Sequence, residues 1–126
     1  RGAKKTIPLP VSGAFHSSLM MEAEAGLADA VQSLHFNEPK MPVVGNCTSK
    51  SLTTAVEIRH ELVNGLCQCV LWKDSVRHIV DSGVTQFVEF GSGGVLAGLI
   101  KRIDRGVKVT TVSDTASMRK LAGIES

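Results

Sequence analysis

From Val84 to Val112 the chain reads as one continuous unit of strand, tight turn, helix and strand. Val84 to Phe90 is an apolar, β-prone run. Gly91-Ser92-Gly93-Gly94 forces a turn, and Val95, Leu96, Leu99 and Ile103 then recur on one helical face. Val107 to Val112 is a second strand. A helix between two strands makes a crossover rather than a hairpin, so the strands should run parallel. An earlier helix, marked by Trp72, Val76, Ile79 and Val80 and stopped at Gly83, gives the order helix, strand, helix, strand. That order fixes the class as α/β. Lys101 and Arg102 suit the C-terminal end of the second helix, where the helix dipole favours positive charge.

The first half is more broken. Ile7, Leu9 and Val11 alternate, and Pro8 and Pro10 disfavour helix, so residues 4–12 are expected to form a strand that runs into a turn. Met20, Ala23, Leu27, Ala30, Val31 and Leu34 predict an amphipathic helix over 17–34, with Ser17 or Ser18 at its cap. Pro39 and Pro42 bracket the entry to a short strand at Val43-Val44, and a polar loop is expected over 47–53. Thr54 and Glu57 have the spacing of a capping box, opening a helix with Ala55, Ile58, Leu62 and Leu66 on one face and Gly65 near its end. The tail from Asp114 is a short helix or a frayed end.

Composition excludes several functions. A length of 126 residues allows one domain or a piece of one. The net charge of +2 is too balanced for a nucleic-acid or membrane surface, and 4% aromatic residues provide no base-stacking platform. No apolar run is long enough to span a bilayer. Cys47, Cys67 and Cys69 are odd in number and lack paired C-x-x-C spacing, which speaks against a disulfide scaffold or a metal site. Reduced, buried thiols in an intracellular protein are the expectation.

The side chain best placed for chemistry is His16. It lies where an extended segment gives way to a helix, between small residues, in Leu9-Pro10-Val11-Ser12-Gly13-Ala14-Phe15-His16-Ser17-Ser18-Leu19-Met20. An imidazole at such a junction can serve as a general base; equally, it can be a capping or hydrogen-bonded histidine. His35, His60 and His78 have weaker claims: His35 closes a helix, His60 sits among charged neighbours, and His78 is spaced to pair with Asp74. The Gly91–Gly94 turn could hold an anion on its amides. It lacks the full dinucleotide or P-loop spacing, and close backbone packing is the favoured explanation of its glycines. A nucleophile elbow, G-x-S-x-G, is absent from the sequence. Ser12, Ser17 and Ser18 are neighbours of His16 in sequence only, so the chain offers a base without a credible nucleophile.

The Leu9–Met20 run resembles the catalytic-histidine segment of malonyl-CoA:acyl carrier protein transacylases. Phe36-Asn37-Glu38-Pro39 with Pro42-Val43-Val44-Gly45-Asn46 is similar to that family's F-x-x-P and P-V-x-x-N stretch. Val70-Leu71-Trp72-Lys73-Asp74-Ser75-Val76 resembles its V-x-W-x-x-S-V. Glu89 to Leu96, followed by Gly98-Leu99-Ile100-Lys101-Arg102, resembles its E-x-G-P-G-x-V-L-x-G-L-x-K-R, with Ser92 in place of the usual proline. The likeness covers about residues 3–114.

The resemblance implies the C-terminal part of an enzyme of about 300 residues, larger than a typical single domain. Residues 1–10 would be the last strand of a ferredoxin-like small subdomain, and 11–126 part of an α/β-hydrolase-like large one. The reaction implied is ping-pong transfer of malonyl from coenzyme A, through a seryl ester, to the phosphopantetheine thiol of acyl carrier protein, in fatty acid or polyketide synthesis. By the same resemblance, His16 is the general base and the main-chain carbonyl of Gly65 orients it, at a position where many relatives carry glutamine. Phe15, Ser17 and Asn46 would contact substrate, the Phe15 ring favouring malonyl over methylmalonyl. No cofactor or metal is implied, since the coenzyme A thioester is itself a substrate. The partners implied are malonyl-CoA, acyl carrier protein and the missing N-terminal part of the enzyme, in the cytoplasm or in an organelle of a eukaryote. The nucleophilic serine would lie upstream, so this chain alone is expected to be inactive. Two alternatives are a non-catalytic acyltransferase-like module that binds acyl carrier protein, and a small stand-alone α/β binding domain.

Overall fold

The computed structural model describes residues 2–8 and 12–123. The chain divides into two compact units, one of Arg1–Val43 with Leu52–Val70, the other of Val44–Ser51 with Leu71–Ser126. The boundary expected at residues 10 and 11 falls outside the described residues.

The first unit is built on two helices. A short 3₁₀ turn, Ser18–Met20, leads into α1, Met21–Ser33, which packs against α2, Ala55–Asn64. The single helix expected over 17–34 is therefore tightened in its first turn. Val31, Leu52 and Ala55 are its buried apolar residues. The start of α2 is heavily capped. Thr54 Oγ1 accepts from Glu57 N, and the Glu57 carboxylate accepts from the amides of Thr53 and Thr54 at 2.8 and 3.0 Å. The Thr53 amide first, then the Thr54 hydroxyl and amide, hold the Glu57 carboxyl below the usual carboxylate range. Glu38 reaches across to accept from Ala55 N at 2.9 Å. Arg59 bonds the Leu34 carbonyl and lies 5.1 Å from the centre of the Phe36 ring.

Residues 2–8 are exposed and form no strand, contrary to the expectation over 4–12; residues 9–11 lie outside the described residues. An extended segment becomes a strand only when a neighbour takes up its backbone N–H and C=O groups.

The short strands β1, Val43–Val44, and β2, Ser51–Leu52, pair with each other. β2 corrects the polar loop expected over 47–53. The turn between them closes through Gly45 N to Lys50 O (2.9 Å) and Ser49 N to Gly45 O (3.0 Å).

In the second unit, β3, Gln86–Phe90, pairs in parallel with β4, Lys108–Val112, from Gln86 opposite Lys108 to Phe90 opposite Val112. The helices α3, Trp72–Asp81, and α4, Val95–Ile103, complete the layer. Val76, Ile100 and Val107 form the core, with Trp72, Val80, Phe87, Ile103 and Val109 packed against it. Trp72, Val76, Val80 and Ile103 are apolar positions of the sequence pattern; on α4 the buried residue is instead Ile100, while Val95 and Leu96, expected on the inner face, are 68% and 42% exposed. Ser75 is buried on α3 and donates to the carbonyls of Leu71 and Gly45. The tail settles as α5, Thr115–Leu121, because Asp114 and Ser117 form a capping box. The Ser117 amide leads the groups that hold the Asp114 carboxyl below its usual range.

The Gly91–Gly94 turn departs from both expectations. A Cβ at Gly91, Gly93 or Gly94 would meet nothing closer than 3.7 Å, so close packing is not what demands glycine. Their φ values of 139°, 111° and 72° are, since side-chain-bearing residues rarely adopt them. Nor are the first amides of α4 open to an external anion. The Glu89 carboxylate accepts from Leu96 N and Ala97 N, both at 3.0 Å, and Thr111 Oγ1 donates to it at 3.4 Å. The anion at this helix start is the protein's own.

Candidate active site around His16

His16 has φ 63°, in the left-handed region. Outside glycine such a conformation costs about 1–3 kcal/mol and persists where surrounding contacts over-determine it. Two of those contacts come from the end of α2. The His16 amide donates to Leu66 O at 2.9 Å, and its ring Nδ1 lies 2.7 Å from Gly65 O. Gly65 is the C-cap of α2, and its carbonyl is among those the helix leaves without an internal partner. A Cβ on Gly65 would stand 3.0 Å from Glu61 O, so the helix end is already tight there.

The chemistry of that contact decides the tautomer. A carbonyl oxygen can only accept, so Nδ1 carries the proton and the neutral ring keeps its lone pair on Nε2. His16 is exposed, so that nitrogen is open to a reactant. The arrangement can take a proton on one side of the ring while a fixed dipole steadies the positive charge on the other.

Phe15 is 61% exposed, and its ring is folded back over Gly13, where an added Cβ would fall 2.6 Å from Cε2. Ser17 is half-buried; its hydroxyl donates to Ala14 O at 2.6 Å and accepts from Leu19 N at 3.4 Å. The structure thus brings Phe15, His16, Ser17 and Gly65 together in the first unit. Asn46 belongs to the second, where its carbonyl accepts from Leu71 N at 2.7 Å.

Three further contacts escaped the sequence pattern. The Cys67 thiol donates to Glu24 Oε2 at 3.6 Å, and burial first, then the Glu24 charge, pushes it above the usual thiol range. A carboxylate oxygen can only accept, so the thiol is the donor of this pair. Cys47 and Cys67 are half-buried and Cys69 is exposed, so the fully buried thiols expected are not found. His78 Nε2 meets Ser51 Oγ at 2.9 Å, where sequence spacing had suggested Asp74. Leu66, expected only as one of the apolar residues on a helical face, holds the His16 amide through its carbonyl. Among the described residues, no cluster of three or more His, Cys, Asp or Glu could hold a metal ion, and no helix is long and apolar enough to cross a membrane.

Comparison with known proteins decides the relationship. The chain is 37% identical over 113 residues to the malonyl CoA-acyl carrier protein transacylase of Bacillus subtilis, covering 90% of this chain and 36% of that protein. It is 40% identical over 111 residues to the enzyme of the same name from Staphylococcus aureus, covering 88% and 36%. The chain is similar to part of the malonyl-CoA:acyl carrier protein transacylases. The acyl carrier protein S-malonyltransferase of Vibrio cholerae superposes with a TM-score of 0.87 at 38% identity, over 95% of this chain and 39% of that one. A malonyl-transacylase solved in complex with its type II PKS acyl-carrier protein gives a TM-score of 0.88 at 41% identity, over 97% and 40%. The fold is thus the α/β fold of part of a malonyltransferase. The chain spans little more than a third of the length of these transacylase sequences. No family model matches it.

Proposed function

We propose that this chain is the C-terminal part of a malonyl-CoA:acyl carrier protein transacylase and supplies its general base, His16. The observation that carries this is the 2.7 Å contact from His16 Nδ1 to Gly65 O, which leaves Nε2 as the accepting nitrogen. The nucleophile is a serine in polypeptide outside these 126 residues. In the first half-reaction Nε2 takes the hydroxyl proton as the serine oxygen attacks the malonyl thioester carbonyl. The tetrahedral intermediate collapses, the C–S bond breaks, and the coenzyme A thiolate takes the proton back from His16. In the second half, the phosphopantetheine thiol of acyl carrier protein gives its proton to His16, attacks the seryl ester and releases the serine, which recovers the proton. Gly65 O, fixed at the end of α2, steadies the transient imidazolium, the part an acidic residue plays in other triads. No redox change or cofactor enters.

Phe15 is a substrate-side residue in this reading, its ring narrowing the pocket against an extra methyl, a discrimination of about 1–3 kcal/mol. Residues 1–10 close a ferredoxin-like subdomain, 11–126 belong to the α/β-hydrolase-like one, and the enzyme works in the cytoplasm. The test uses the full-length enzyme. His16→Ala should slow malonyl transfer by about 10²–10⁴, the usual worth of a general base. Transfer at the unaltered rate would overturn the assignment of His16 as the base.

A further inference from the structure

We propose that Ser17 is a positioning residue, which keeps His16 in its working conformation without touching substrate. This rests on His16 being the general base. A serine hydroxyl has one proton to give, and Ser17 gives it to Ala14 O at 2.6 Å. A substrate carboxylate or carbonyl needs a donor, and this one is already committed. The oxygen accepts from Leu19 N at 3.4 Å, and the Ser17 carbonyl accepts from Met20 N at 3.1 Å. Ser17 therefore ties the residue two places before His16 to the residues three and four places after it. That is a staple across a left-handed turn which His16, at φ 63°, does not favour.

The far side of the turn is held by Leu66 O and Gly65 O. Ser17 holds the near side from within the same segment. Without its hydroxyl the turn relaxes toward negative φ, and the ring swings away from Gly65 O. The proton on Nδ1 then loses its acceptor, and Nε2 is no longer presented at a fixed place.

The test is made in the full-length enzyme, with kcat, KM for malonyl-CoA and the thermal midpoint measured for Ser17→Ala, Ser17→Thr and His16→Ala. Ser17→Ala should lower kcat about 10- to 100-fold, the scale of a displacement near 1 Å, with KM little changed. Ser17→Thr, which keeps the hydroxyl, should recover most of that loss. On the His16→Ala background, Ser17→Ala should cost no further rate. The downfield proton resonance of His16 Nδ1–H should vanish in Ser17→Ala and persist in Ser17→Thr. Should Ser17→Ala fail to fold, Ser17→Gly replaces it, since glycine is tolerated at a helix cap. A raised KM at unchanged kcat would make Ser17 a substrate ligand and sink the proposal, as would an unchanged kcat or no recovery by threonine. If His16→Ala itself transfers malonyl normally, the general-base assignment fails independently of Ser17.

Discussion

Two junctions where a small-residue turn enters a helix, Gly91–Gly94 and Gly13–Ser17, finish differently. At Gly91–Gly94 the helix start is answered from within: the Glu89 carboxylate takes the Leu96 and Ala97 amides, and Thr111 donates to Glu89. At Gly13–Ser17 the internal bonds leave one ring nitrogen over. Ala14, Leu19, Gly65 and Leu66 all have partners, and His16 Nε2 is left over on an exposed ring. A glycine- and serine-rich turn in a sequence cannot distinguish these cases. What separates them is whether a side chain elsewhere returns to satisfy the junction. The first kind spends its polar groups on stability, and the second holds one ready for chemistry.

Substitutions can break that contrast. The largest effect is expected at His16, where His16→Ala should remove about 3–5 kcal/mol of transition-state stabilisation with the thermal midpoint little altered. A matching fall in stability would place His16 with the structural junctions. At the other turn the signs reverse. Gly94→Ala forces a side chain onto φ 72° and should destabilise the full-length enzyme by about 1–2 kcal/mol, read by denaturant titration, with malonyl transfer per folded molecule unchanged. Glu89→Ala should cost about 0.5–2 kcal/mol, the worth of a helix cap, again without slowing transfer. A catalytic defect in Glu89→Ala that exceeds its loss of folded protein would show that the two turns are not separate in role.

The smallest effect concerns acid stability. The carboxyls of Glu57 and Asp114 sit below their usual ranges because backbone amides hold their charged forms. A group with a depressed folded pKa adds stability that is complete above its unfolded pKa and is lost as pH falls through the folded one. Stability should therefore decline on the acid side of the ordinary carboxylate range, and Glu57→Gln should flatten that decline in a pH series of thermal midpoints. An unchanged acid limb would remove Glu57 as a contributor.

Much of this was legible in the residues themselves. The Thr54–Glu57 box, the parallel β3–α4–β4 unit and the core position Val76 follow from spacing, because helices and caps are set by neighbours within four residues. Ile100 does not: the spacing put Val95 and Leu96 inward, and both are exposed. His16 was singled out by its place before a helix, and Gly65 by family likeness alone. The rest depends on distant partners. Ser51–Leu52 is a strand because Val43–Val44 lies beside it; His78 chose Ser51, 27 residues away, over the nearby Asp74. Glu89 looked like one more strand residue until α4 was placed over it. Periodicity reports which face a side chain takes, and stays silent on which far residue answers it.

The most direct test of His16 as the proton acceptor is the first turnover. Mixing the full-length enzyme with radiolabelled malonyl-CoA in a quench-flow instrument, without acyl carrier protein, follows formation of the seryl ester alone. If His16 accepts the hydroxyl proton, wild type shows a rapid burst of protein-bound malonyl and His16→Ala forms the same ester about 10²–10⁴ times more slowly. A burst of equal rate in both proteins would contradict it.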